Sequence, residues 1–186
     1  MASVRGLTRS SSSFTIPVLS ASLLVAVDAN VVMDLGEGRN TVLDALTTIR
    51  QRLPFARLVI PPTPQQELLH IARCADTAKE RNIALAGIQA ARQWRIVPVN
   101  LMPVGHGIVA RIAERLRERN LVPVEEINDS LLVAESALLE ARLLLSSDDH
   151  VRGMDFTRLS FELQDFDVIA PIIATPAEVV RKFFLS

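Results

Sequence analysis

One short segment limits what this chain can fold into. The apolar run Leu23-Leu24-Val25-Ala26-Val27 stops abruptly at the turn-prone triplet Asp28-Ala29-Asn30. A run this short and this uniformly apolar reads as a strand buried on both faces, the habit of parallel sheets covered by helices. The triplet then stands at the strand's carboxyl end. Similar runs recur downstream. Arg57-Leu58-Val59-Ile60 ends at Pro61-Pro62, and Leu143-Leu144-Leu145-Ser146 ends at Ser147-Asp148. Ile96-Val97-Pro98-Val99 is a brief extended segment, and a further strand is expected within Val168 to Ile173.

Helical patterns separate these strands. Val42, Leu43, Leu46, Ile49 and Leu53 recur at three and four residues after Asn40, and Pro54 stops them. Thr63 can cap a second helix, with Pro64 at its first position and Gln66 completing a capping box. Helices are also expected over Asp76 to Trp94, over Ile108 to Asn120, and from Asn128-Asp129 onward. The last of these is apolar on more than one side and reads as central. Gly36 and Gly38 mark a loop, and Thr175-Pro176 starts a final helix. Strands alternating with helices imply an α/β fold, a three-layer α/β/α sandwich around a mostly parallel sheet.

The 186 residues fit one domain. Residues 1–22 read as a flexible extension and residues 23–186 as the domain. The segment before Asp28 has no acid and carries Arg5, Arg9 and a serine run, a composition shared with targeting signals. Pro17, Ser20 and Ser22 interrupt it too often for a membrane span. Removing it near residue 27 would also take away the first strand, so the extension is the preferred reading. Cys74 is the single cysteine, which rules out an internal disulfide and makes a cytoplasmic location the default. Its apolar helical surroundings predict a core position. A net charge of -1 does not indicate a strongly basic nucleic-acid binder, although a local basic surface is compatible with it.

Ligands of open α/β sheets gather beyond the carboxyl ends of the strands. Asp28 and Asp148 lie at two such ends, and Glu67 and Asp129 lie near two helix starts. Together they would form a cluster of like charges that resists joint ionisation. A hard divalent cation, Mg²⁺ or Mn²⁺, resolves that conflict, since oxygen-only ligation suits these ions. Such a centre points to phosphate chemistry. His70, His106 and His150 show no metal-ligand spacing among themselves. Asp149 and Asp155 could each add an acid or be ordinary turn residues. Arg111, Arg115 and Arg119 recur on one helix and could meet phosphates, but Glu114 and Glu118 beside them favour a solvated mixed face.

The ordered motifs resemble those of PIN domains. Val27-Asp28-Ala29-Asn30 is similar to the family's opening strand and Asp-x-Asn. Glu67 after Pro61-Pro62 is similar to its second signature. Asn128-Asp129-Ser130-Leu131-Leu132-Val133-Ala134 is similar to its central helix, and Leu145-Ser146-Ser147-Asp148 to its fourth motif. The resemblance spans about residues 23 to 180. It implies metal-dependent cleavage of RNA phosphodiester bonds, with Asp28, Glu67, Asp129 and Asp148 as metal ligands and catalytic acids. Asn30 and Ser146 would support them. Many small members are VapC-type toxins, so an antitoxin protein or a second copy of the chain becomes an expected partner. The length before Asp28 and between Ala75 and Asn128 exceeds that of the compact toxins. A catalytically silent PIN-like module that binds RNA or protein is the alternative. A haloacid-dehalogenase-type phosphatase would want an Asp where Asn30 stands, and ranks below both.

Overall fold

The structure, a computed structural model, describes residues 23–184 of the chain. The extension expected over residues 1–22 lies outside the described residues. Among the latter, one parallel sheet contains β1 (Leu24–Val27), β2 (Arg57–Ile60), β3 (Val97–Pro98), β4 (Ala141–Leu145) and β5 (Ile172–Ala174). Its order is β3-β2-β1-β4-β5. The helices are α1 (Ala29–Gly36), α2 (Asn40–Arg52), α3 (Pro62–Cys74), α4 (Ala78–Gln93), α5 (Pro103–Glu118), α6 (Ile127–Leu138), α7 (Asp149–Arg152), α8 (Phe156–Gln164) and α9 (Pro176–Phe184).

Strand periodicity divides the core into two layers. Val25, Val27 and Leu145 pack on one face with Val31 and Val32 of α1, Leu46 and Ile49 of α2 and Val179 of α9. Ala26 and Leu144 pack on the other with Ile112 and Leu116 of α5, Val133 and Ala137 of α6, and Leu159 and Leu163 of α8. Successive strand residues point to opposite faces, so a strand covered on both sides must be apolar throughout. The order of the strands also locates a crevice. From β1 the chain steps outward through β2 to β3, then returns to place β4 on the other side of β1. The connections diverge between β1 and β4, at the carboxyl ends where Asp28 and Ser146 begin the next segments.

Several elements differ from the sequence expectation. Asp28-Ala29-Asn30 is not a turn into a loop. It starts α1, because the Asp28 carboxylate accepts the Ala29 N–H and caps the helix. The capping box expected at Thr63 and Gln66 is absent. Pro61 occupies the cap position without a side-chain bond. The buried Glu135 of α6 replaces it, accepting from the Thr63 N–H at 2.9 Å and the Thr63 hydroxyl at 2.8 Å. A helix N-terminus leaves N–H groups unpaired, and a carboxylate from a neighbouring helix satisfies one. Cys74 is exposed rather than in the core, because the residues of α3 that bury are confined to its first half. The stretch after Asp148 holds two helices, α7 and α8, before β5 begins at Ile172.

Two glycines bring α1 and α4 into backbone contact. A Cβ on Gly87 would stand 2.4 Å from the Val32 carbonyl oxygen, and one on Gly36 would stand 2.4 Å from that of Ile83. No side chain fits such gaps without moving a helix. Gly87→Ala is therefore expected to lower stability by about 1–3 kcal/mol. Gly107→Ala in α5, where a Cβ meets nothing within 4 Å, should instead stabilise by up to about 1 kcal/mol. Urea unfolding of the two variants measures both. Equal stability of Gly87→Ala and wild type would mean that the helices do not press together this closely.

Candidate functional site

Asp28 organises the crevice. Its N–H continues the sheet by donating to the Leu145 carbonyl at 3.0 Å. The residue is 6% exposed. One carboxylate oxygen accepts from the Ala29 N–H at 2.6 Å. The other accepts from the Ser146 hydroxyl at 2.6 Å and from the Asn30 amide at 2.9 Å. Ser146 is fully buried, and its oxygen accepts the Asp148 N–H at 3.1 Å. The Asn30 carbonyl oxygen accepts the Ser147 N–H at 3.2 Å. Asn30 and Ser146 thus tie the start of α1 to the end of β4, where sequence reasoning put two supporting residues. Asp148 caps α7 by accepting from the His150 N–H at 2.8 Å and from the Val151 N–H at 3.4 Å.

Glu67 sits in the second turn of α3, beyond the first turn that best favours an anion. Burial raises its pKa above the ordinary value, and the charges of Asp28 and then Asp148 raise it further. Asp129 is in the first turn of α6, and its buried Oδ2 has no hydrogen-bond partner among the described residues. The local helix-capping bond that would explain Asp129 structurally is therefore not made. Burial pushes its pKa up to about 7, aided by Asp148, Glu126 and Asp28 and opposed by His150. Asp28 is also raised, chiefly by burial. Its three donors oppose that rise and Asp148 adds to it. The charge of Asp148 acts on Asp28, Glu67 and Asp129, and that of Asp28 acts on Glu67 and Asp129.

Other sequence candidates fall elsewhere. Asp149 is 90% exposed in its side chain and pairs with Arg152. Asp155 caps α8 through the Arg158 N–H. Arg115 reaches Glu162 and Asp165, each at 3.5 Å, and Arg119 reaches Glu162 at 3.6 Å. These arginines tie α5 to the α8 segment instead of lining a free basic face. Glu126, not singled out in the sequence, and His150, set aside for lack of ligand spacing, both lie at the acids. His150 Nδ1 lies 3.5 Å from Glu126 Oε1, 3.7 Å from Asp129 Oδ2 and 3.8 Å from Asp148 Oδ1. Glu126, Asp129 and His150 form a group that could hold a metal ion. A histidine thus stands beside acids that the sequence reading took as an all-carboxylate site. The signals were the three-residue step from Glu126 to Asp129 and the two-residue step from Asp148 to His150.

The residues fit a divalent cation. They offer carboxylate oxygens in mutual repulsion, and one of these oxygens is buried without a donor. A cation would relieve both conditions. A raised folded-state pKa favours folding below the ordinary value and loses that advantage as pH rises through the raised one. In chelator, Asp129→Asn should accordingly raise the melting temperature at pH 8. The gain should shrink as pH falls through about 7 and vanish below 3.8. Identical melting of variant and wild type at pH 8 would show that the carboxylate is not strained.

Comparisons with known proteins bear on the fold and the family. A search of curated proteins by sequence found no match. Among solved structures the chain is similar to one described as the crystal structure of VapBC2 from Rickettsia felis bound to a DNA fragment from their promoter. The TM-score is 0.58 at 11% identity, covering 82% of this chain and 98% of that chain. At that identity the likeness speaks for the fold. The family model for the PIN domain matches residues 25–157, from the middle of β1 into α8. That stretch contains all four acids as well as Asn30 and Ser146, and the chain belongs to the PIN-domain family.

Proposed function

We propose that this chain is a Mg²⁺- or Mn²⁺-dependent endoribonuclease in which Asp28, Glu67, Asp129 and Asp148 hold the metal. The observation that carries the reading is that acids following β1 and β4 act on each other and on acids of α3 and α6 at the carboxyl ends of the central strands. The family membership supports a nuclease. When bound, the cation would supply Lewis acidity toward a phosphodiester oxygen.

Each residue has a distinct part in this reading. Asp28 is held rigid by its three donors, so its remaining lone pairs point in a fixed direction. Ser146 sets that direction by donating to Asp28 while accepting from the Asp148 backbone. Asn30 clamps the same two segments. Glu67 and Asp129 approach from the two helices, and both are more readily protonated than ordinary acids while no cation is present. Electrostatic relief on binding therefore concentrates on these two.

The toxin of a toxin–antitoxin pair is the form of this function that we favour. The structurally similar VapBC2 is described with a promoter DNA fragment. A protein partner is also supported by Val124 and Ile127, 66% and 55% exposed, which flank the Glu125-Glu126 step beside the acids. No helix among the described residues is long and apolar enough to cross a membrane.

Purified protein with Mn²⁺ should cleave single-stranded RNA, stop with chelator, and lose cleavage in Asp28→Asn. Ser146→Ala should retain the fold but lose about 10–100-fold in metal affinity or rate, the usual effect of removing a group that orients a ligand. Undiminished cleavage by folded Asp28→Asn would overturn the mechanism. If the protein binds RNA or protein but never divalent ions, it is the silent binding module.

A further inference from the structure

We infer that His150 supplies a nitrogen ligand to the metal centre, forming with Glu126 and Asp129 a mixed nitrogen–oxygen seat that prefers a divalent transition metal to Mg²⁺. The inference rests on the metal-binding reading above and adds the identity of the ion.

The placement follows from two helix starts. Glu126 immediately precedes α6 and Asp129 follows one turn later, so both carboxylates leave the same side of the helix. His150 is the second residue of α7. That short helix is anchored because Asp148 accepts the backbone N–H groups of His150 and Val151. The anchor sets the imidazole beside the acids. One ligand atom from each of Glu126, Asp129 and His150 can be chosen so that all lie within 4.8 Å of one another.

The distances suit ligation better than hydrogen bonding. His150 Nδ1 is 3.5, 3.7 and 3.8 Å from oxygens of Glu126, Asp129 and Asp148. A nitrogen–oxygen hydrogen bond needs about 2.7–3.2 Å, so the ring nitrogen faces three carboxylates and bonds to none. Ligands about 2.0–2.2 Å from one ion stand about 3–3.5 Å apart. Only a few tenths of an ångström separate the observed spacing from that. A second observation points the same way. Asp129 Oδ2, the atom 3.7 Å from Nδ1, is fully buried and has no hydrogen-bond donor among the described residues. Direct bonding to the ring would have satisfied it, but the ring stands at 3.7 Å, beyond hydrogen-bond reach and close to the spacing of two ligands on one ion.

Ligand chemistry then selects the metal. Mg²⁺ takes oxygen ligands in near-ideal octahedral geometry and keeps several waters. Imidazole suits later first-row ions such as Co²⁺ and Zn²⁺, and Mn²⁺ accepts it alongside carboxylates. The His150 side chain is 51% exposed, so the ring has room to swing the short distance needed.

Calorimetric titration of the full chain with Co²⁺ alone and with Mg²⁺ alone tests this at pH 8. Wild type should bind Co²⁺ more tightly. His150→Ala should weaken Co²⁺ binding by at least about 10-fold and change Mg²⁺ binding by less than about twofold. Electron spin echo spectroscopy of bound Mn²⁺ in wild type should show nitrogen coupling that disappears in His150→Gln; the wild-type measurement needs no variant to fold. Absence of nitrogen coupling in wild type overturns the inference. So does unchanged Co²⁺ affinity in His150→Ala while Asp129→Asn loses binding, which leaves the proposed nuclease standing. Failure of wild type to bind any of the three ions overturns both.

Discussion

A buried carboxylate must be compensated by donors or by a cation, and Asp28 imposes that demand on the whole crevice. It sits at the end of a buried strand and is itself 6% exposed, so little water reaches it. Its three donors come from the next residue, from Asn30, and from Ser146 just past the neighbouring strand. Satisfying them obliges α1 to start without a linker and β4 to end in register with β1. The Asp28 N–H bond to Leu145 fixes the same register from the backbone side. The fold's central strand pair and the site are therefore positioned by one set of interactions.

These donors do not restore an ordinary acid. Burial remains the largest influence on Asp28, Glu67 and Asp129, and the neighbouring charges of the cluster reinforce it at all three. The apolar layers on the two faces of the sheet must carry this strain in the metal-free protein. Functional sites commonly break a local rule that the rest of a fold obeys. Here the broken rule is the separation of like charges.

Much of the architecture was legible in the sequence because strands buried on both faces leave uninterrupted apolar runs. β1, β2 and β4 showed this way, with Asp28 and Asp148 following from their ends. Glu67 and Asp129 were legible because helix-opening patterns preceded them. Other features depend on contacts between distant segments and leave no local trace. Glu135 does the work assigned to the Thr63 and Gln66 capping box, across 72 positions of sequence. α1 was hidden because its capping Asp and the following Asn also spell a turn. Cys74 had an apolar pattern around it, but nothing local said that the second half of α3 stands proud of the core. His150 showed only its two-residue step from Asp148, since its other acidic neighbours come from a segment more than twenty residues earlier.

The Glu135 cap has a consequence for length tolerance. Helix α6 sends Asp129 toward the crevice and, six residues later, Glu135 to the start of the helix that bears Glu67. It acts as a ruler between two destinations. Adding or deleting a single residue between them would turn one end by about 100° relative to the other. Either the acid or the cap would then face the wrong way. Substitutions along this stretch can be absorbed by repacking, but a change of register cannot. The spacing from Asp129 to Glu135 is therefore expected to stay fixed.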